Sequence, residues 1–243
     1  MHGNATIAAT KTSALKIRLP DGKDECRDRI LACRNCELWS ATRGPVPFRG
    51  PVPARVCVVG EAPGRDEDAK GGPFLGPAGK LLASTFALNK VRPERLFYCN
   101  LVSCYPKLEK PTPTKEHIRA CHGNVWDQIE YSQADWILLV GGLALDNLFP
   151  WQFTHDRKKH KTITVMRGKG WHYKGKNWMA CVHPAAALRS RDKYLPMLEQ
   201  DIRAFVKMVK QGYIDPMEEC YECGKEPDEY SPEGIGWCKR HVR

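Results

Sequence analysis

Ala54-Arg55-Val56-Cys57-Val58-Val59-Gly60 runs directly into Glu61-Ala62-Pro63-Gly64-Arg65-Asp66-Glu67-Asp68. The continuous apolar run, with no polar alternation, predicts a strand buried on both faces, as in a parallel sheet covered by helices. Gly60 permits a tight turn, and the acids beyond it fall at the carboxyl edge of the strand, where α/β sheets place their reactive groups. Taken singly, each of these residues would also suit a solvated Gly/Pro loop.

Working outward, the apolar runs 96–102, 136–140 and 178–182 predict three partner strands. Helical periodicity appears at about 78–89, 114–130, 142–149 and 193–211. Strands alternating with helices predict an α/β fold, a three-layer α/β/α sandwich around a central, mainly parallel four-stranded sheet. The Lys-, His- and Gly-rich segment 151–176 predicts a further strand between basic loops. Cys26, Ile30, Leu31, Cys33, Cys36 and Leu38 fit a short helix running into a turn. Residues 1–22 read as a flexible basic tail, and Asp215-Pro216 marks a boundary. The expected organisation is a domain over 23–212 and a cysteine-rich module over 213–243.

The 38 Lys and Arg against 28 Asp and Glu give a net charge of +10, spread along the chain. Such a surface suits a polyanion, although charge by itself leaves the partner open. No apolar run is long enough to span a membrane, and the N-terminus lacks the apolar core of a secretory leader. An intracellular, cytoplasmic location follows as the expectation, and in a reducing compartment the eleven cysteines point to metal rather than to disulfides.

Cys33-x2-Cys36, Cys104 and Cys121 supply four thiolates, and their spacing admits zinc as readily as an iron–sulfur cluster. Cys26 is an alternative ligand, whereas Cys57, Cys99 and Cys181 fall within or beside apolar strands, where inert buried thiols are the rule. Cys220-x2-Cys223 and Cys238-x2-His241, with fourteen residues between the pairs, have zinc-ribbon-like spacing. A tail this short cannot build a core, so a zinc ion would supply its folding free energy.

Three motifs complete the pattern: Gly71-Gly72-Pro73-Phe74-Leu75-Gly76-Pro77-Ala78-Gly79, Cys99-Asn100-Leu101-Val102-Ser103-Cys104, and His183-Pro184-Ala185-Ala186-Ala187-Leu188-Arg189. In this order, across roughly residues 30–205, the chain resembles the family-four, iron–sulfur uracil-DNA glycosylases. The resemblance implies a 4Fe-4S cluster on Cys33, Cys36, Cys104 and Cys121, structural in role. The zinc module lies outside what that family generally carries, and extra DNA contact and binding of a protein partner are both open as its role.

The implied reaction is hydrolysis of the N-glycosidic bond of deoxyuridine in DNA, leaving an abasic site, by a monomer that associates with the nucleoid when on DNA. No lysine is placed for a Schiff-base step, so the expected enzyme is monofunctional. The resemblance makes Phe74 the platform for the flipped uracil and puts His183 near uracil O2. Asn100 would accept from uracil N3–H and donate to O4, a pattern that cytosine reverses. Glu61 and Glu67, with Asp68 beside them, are the carboxylates expected near the sugar, their roles undivided. Leu188 and Arg189 would fill the gap left by the base and bind phosphate.

Two departures stand out: Ala185 replaces the family's usual Ser, and Ala62 stands where family one carries an Asp. Two other readings share these residues, a glycosylase for a different damaged base and a DNA-binding protein without turnover. A branch that links covalently to abasic DNA through an inserted His-containing loop is disfavoured, because between Cys104 and Cys121 the sequence offers only His117, on a predicted helix.

Overall fold

The computed structural model describes residues 24–107, 112–149 and 162–212, together with the backbone of 229–230 and 236–237. The N-terminal tail and the proposed zinc ligands Cys220, Cys223, Cys238 and His241 lie outside the described residues.

In chain order the elements are α1 (Glu25–Leu31), α2 (Leu38–Ala41), β1 (Val56–Gly60), α3 (Arg65–Lys70), α4 (Pro77–Leu88), β2 (Phe97–Asn100), α5 (Lys115–Tyr131) and β3 (Trp136–Val140). They continue as α6 (Gly142–Leu148), α7 (Ile163–Met166), β4 (Gly170–Tyr173), β5 (Lys176–Cys181), α8 (Pro184–Arg189) and α9 (Arg191–Gln211). Two short strands, β6 (Glu229–Tyr230) and β7 (Gly236–Trp237), pair antiparallel with each other.

The main sheet has the order β2-β1-β3-β5-β4. All pairings are parallel except β4 with β5. Five strands rather than the four expected therefore make the sheet, and the mixed edge comes from the 151–176 segment. In Gly170–Tyr173 the buried Trp171 and Tyr173 alternate with half-buried neighbours, the pattern of an edge strand. Lys174 and Gly175 both hold positive φ (50° and 69°), the two-residue turn whose twist suits a hairpin.

Every residue of β1 and β3 is buried, because alternate side chains feed two cores. Cys57, Val59, Ile137 and Leu139 pack beneath α5 and α6 with Ile118, Val125, Ile129, Ala144 and Leu145. Val56, Val58, Leu138 and Val140 pack on the opposite side against Leu82 and Phe86 of α4 and Leu198, Ile202 and Phe205 of α9. The result is a three-layer α/β/α arrangement in which each fully buried Val or Leu contributes about 1.5–3 kcal/mol. With β1, β2, β3 and β5 parallel, their carboxyl ends share one edge of the sheet.

Candidate active site

At that edge, Gly60 ends β1 directly opposite Asn100, which ends β2. A Cβ on Gly60 would overlap Asn100 Oδ1 and lie 2.6 Å from Phe74 Cζ. Only a residue without a side chain lets the amide and the ring meet there. Asn100 is 5 % exposed, and its side-chain amide makes no hydrogen bond with any described residue. A buried amide of this kind is free to read a ligand.

Phe74 adopts φ +57°, a conformation costing a non-glycine residue of order 1–3 kcal/mol, so its surroundings must hold it. Arg49 Nε donates to the Pro73 carbonyl at 2.6 Å and Nη2 to the Phe74 carbonyl at 3.4 Å. The Arg49 guanidinium in turn lies 4.0 Å over the Tyr98 ring, and the Phe74 ring packs on Tyr98 with centroids 5.4 Å apart. Gly79 of α4 completes the clamp, since any Cβ there would collide with the Phe74 backbone.

The three acids of the loop separate. Both oxygens of Glu67 accept backbone N–H groups, Oε2 from Gly64 at 3.0 Å and Oε1 from Gly76 at 2.7 Å, so this carboxylate ties together the two ends of the Phe74 loop. The bond to Gly64 has Glu67, at the third position of α3, reaching back to the N–H of the N-cap glycine, which has no side chain to return the contact. Asp68 Oδ1 accepts from the Arg43 N–H at 3.2 Å, and its charge bears on Cys104. Burial pushes the Glu61 carboxyl above its ordinary range, with the nearby Arg189 opposing that shift.

His183 caps α8, its Nδ1 accepting the Ala185 N–H at 3.1 Å, which leaves the proton of the neutral ring on Nε2. Burial, reinforced by the charge of Arg189, lowers its pKa to about 4, so the ring is neutral at pH 7. Arg189 thus acts on both Glu61 and His183 and marks them as neighbours. Gly141, at φ +95°, passes close beneath the imidazole, where a Cβ would sit 3.1 Å from His183 Cδ2. Leu188, 48 % exposed, projects from the same short helix.

Sequence reading missed four supporting residues: Arg49, Tyr98, Gly141 and Asp201. Asp201, buried in α9, accepts the Val182 N–H at 3.0 Å, just before His183, and pairs with Arg167 at 2.9 Å. No local pattern signals such contacts, which arise between elements far apart in the chain.

Cys33 and Cys36 follow α1, Cys104 follows β2, and Cys121 lies on α5. Cys104 feels the other three: burial, then the charges of Cys121, Cys36 and Cys33, push it up to about 12. Burial likewise raises Cys121 to about 11, although a hydrogen bond from the Ser103 backbone opposes it. Asn124 Nδ2 donates to Cys33 Sγ at 3.3 Å, and the buried Ser103 Oγ has no hydrogen-bond partner among the described residues. His117 Nδ1 accepts from Thr114 N–H at 3.1 Å and its Nε2 meets Glu37 at 2.7 Å, bracing the Cys36 turn against α5. Among the described residues no three His, Cys, Asp or Glu side chains are grouped as around a single metal ion. Cys57 and Cys99, with sulfurs 3.9 Å apart, are buried within the sheet as expected.

The Uracil DNA glycosylase superfamily matches this chain over residues 47–210. Among similar proteins is the type-4 uracil-DNA glycosylase of Archaeoglobus fulgidus, 34% identical over 195 residues, covering 76% of this chain and 90% of the relative. That of Thermotoga maritima is 34% identical over 187 residues, covering 76% and 93%. That of Saccharolobus solfataricus is 34% identical over 190 residues, covering 75% and 84%.

Proposed function

We propose a reaction for this protein from one premise: the chain belongs to the Uracil DNA glycosylase superfamily and, within it, to the type-4 uracil-DNA glycosylases. It is a uracil-DNA glycosylase that hydrolyses the N-glycosidic bond of deoxyuridine in DNA. The observation that carries the reading is the buried Asn100 amide, without a hydrogen bond to any described residue, beside the Phe74 ring over Gly60.

A base stacked in a duplex is out of reach, so the nucleotide must be extruded into the pocket. Phe74 supplies the face on which uracil stacks. The Asn100 amide accepts from N3–H and donates to O4, whereas cytosine would leave both groups mismatched in a buried site. As the glycosidic bond breaks, negative charge gathers on the base, and the neutral His183 donates from Nε2 toward O2. Such a donor typically accounts for 100- to 1000-fold in rate. The Glu61 carboxylate stabilises the cationic sugar and orients the attacking water, while Glu67 acts at one remove by holding the loop that presents Phe74. Leu188 enters the space vacated by the base, and Arg189 neutralises phosphate.

Cys33, Cys36, Cys104 and Cys121 would hold the 4Fe-4S cluster. The donor chemistry suits such a group: the charges of the other three thiols bear on Cys104, Cys33 and Cys121 each receive an N–H donor, and the buried Ser103 hydroxyl has no partner among the described residues. When bound, it would cross-link the α1 turn, the end of β2 and α5. The zinc site on Cys220, Cys223, Cys238 and His241 rests on spacing alone, as does a partner for that module.

The test is base release from a uracil-containing oligonucleotide, read by alkaline strand cleavage. Wild type should cleave, Asn100→Ala and His183→Ala should lose about 100-fold or more, and an oligonucleotide carrying cytosine should stay intact. Cluster-loaded protein that binds the same DNA and releases no base would overturn the reading in favour of a DNA-binding role without turnover.

A further inference from the structure

Away from the pocket, two adjoining hollows of about 420 and 390 Å3 form a trough along α1, α2 and α3. They share Leu31, Arg43, Gly44 and Pro45, so one opens into the other. The lining is cationic: Arg43 borders both hollows, Lys70 the first and Arg34 the second. The acid in the lining, Asp68, accepts the Arg43 backbone N–H. Trp39 lies at the far end, 38 % exposed, with the Arg34 guanidinium 4.3 Å over its ring.

Position matters as much as charge. Gly71 borders the first hollow, and Phe74, the pocket platform, follows only three residues later. Three residues reach at most about 10 Å, which is about three nucleotide steps at a stacked rise of 3.4 Å. A strand leaving the pocket on this side therefore meets the trough almost at once. Lys70 is held by an exposed ion pair with Asp66 at 4.0 Å, a contact weak enough to yield to a phosphate.

We propose that this trough is an extended subsite for a single-stranded polynucleotide flank of the substrate. Phosphates lie along Arg43, Lys70 and Arg34, and one base stacks on Trp39, displacing Arg34 from its face onto a phosphate. A groove of cations with an exposed aromatic is the pattern by which proteins bind single strands without regard to sequence, whereas a duplex presents its bases only in the grooves. The proposal rests on the glycosylase reading only in taking DNA as the ligand.

The experiment measures binding of the full-length protein to a labelled, uracil-free single-stranded 20-mer and to the matching duplex, across a range of salt. Wild type is compared with Arg43→Ala/Lys70→Ala and with Trp39→Ala. The double variant should lose about tenfold in single-strand affinity at low salt, and its salt slope should fall by about 1.4 for two lost phosphate contacts. Trp39→Ala should lose at least about fivefold with little change of slope. Duplex affinity should change much less, and uracil release from a trinucleotide, too short to fill the trough, should keep its wild-type kcat/KM. Visible absorbance of each preparation checks that the cysteine site is intact, and the double variant, whose positions lie seven and thirty-four residues from the nearest of those cysteines, decides the matter if Trp39→Ala alone loses that absorbance. Unchanged single-strand affinity and slope, or an equal loss on duplex, would overturn the proposal. Wild type that releases no uracil while these binding losses stand would sink the glycosylase reading and leave the trough in place.

Discussion

Asn100 and Cys104 are four residues apart, yet the regions they belong to are built in opposite ways. The pocket is held by bonds between protein groups: Glu67 bridges Gly64 and Gly76, Arg49 grips the Pro73 and Phe74 carbonyls, and Asp201 fixes the backbone before His183. The cysteine corner instead gathers thiols whose burial disfavours charge, with donors aimed at sulfur. A pocket of the first kind is preorganised by folding alone, and a corner of the second kind would draw its rigidity from the proposed cluster. Substitutions in the pocket should therefore separate activity from stability, and substitutions in the corner should not.

The largest effect is expected from Gly60→Ala. Its Cβ would displace both the Asn100 amide and the Phe74 ring, and a misplacement of about 1 Å costs each oriented group about 100-fold. Base release should fall by about 1000-fold or more, with little change in melting temperature and none in visible absorbance. Cys104→Ser should do the reverse, losing the absorbance and lowering the melting temperature, with activity declining only in step with the folded fraction. A Cys104→Ser protein of wild-type stability would break the comparison.

Acidification probes the pocket more gently. His183 stays neutral until pH approaches about 4, whereas the Glu61 carboxyl, raised by burial, protonates first as pH falls. The acidic limb of kcat/KM should therefore belong to Glu61, falling about tenfold per pH unit below its pKa. In Glu61→Gln that limb should vanish from the residual activity, leaving the drop near pH 4. The stability signs are opposite. His183, depressed in the folded state, contributes stability that is lost as pH falls from its ordinary value of 6.5 toward about 4. Glu61, raised in the folded state, loses stability as pH rises from its ordinary 4.5 through its folded pKa, so Glu61→Gln should melt higher than wild type at pH 7. A lower melting temperature for that variant would contradict a buried, charged Glu61.

Much of this was legible in the sequence because it is local. Val56–Gly60 and Trp136–Val140 are apolar at every position or nearly so, and both form strands with two buried faces. Asn100, Phe74 and His183 were singled out by the family resemblance of the motifs that contain them, since each alone would also suit a structural role. The edge strand Gly170–Tyr173 was only half legible, since its two buried aromatics lie among polar and basic neighbours. α3 left no periodic trace because none of its residues is buried. Arg49 and Asp201 could not be read at all, because a guanidinium 25 residues from the carbonyl it grips and a carboxylate 19 residues from its N–H partner have no sequence period.

The smallest expected effect concerns the residue whose expected role changed most. Glu67 was expected as a pocket carboxylate, yet both its oxygens are spent on backbone N–H groups. If its part is to hold the loop, Glu67→Gln keeps one amide oxygen as acceptor and turns an NH2 toward the other N–H. The loss of one charge-assisted hydrogen bond, about 1.5–3 kcal/mol, is shared between the fold and the strained Phe74. Base release should drop only about tenfold, with KM rising more than kcat falls, and the acidic limb set by Glu61 should not move. Were Glu67 the group that activates water, the same variant would lose kcat by 100-fold or more at unchanged KM and the limb would disappear. The pH profile of Glu67→Gln thus separates a carboxylate that shapes the pocket from one that works inside it.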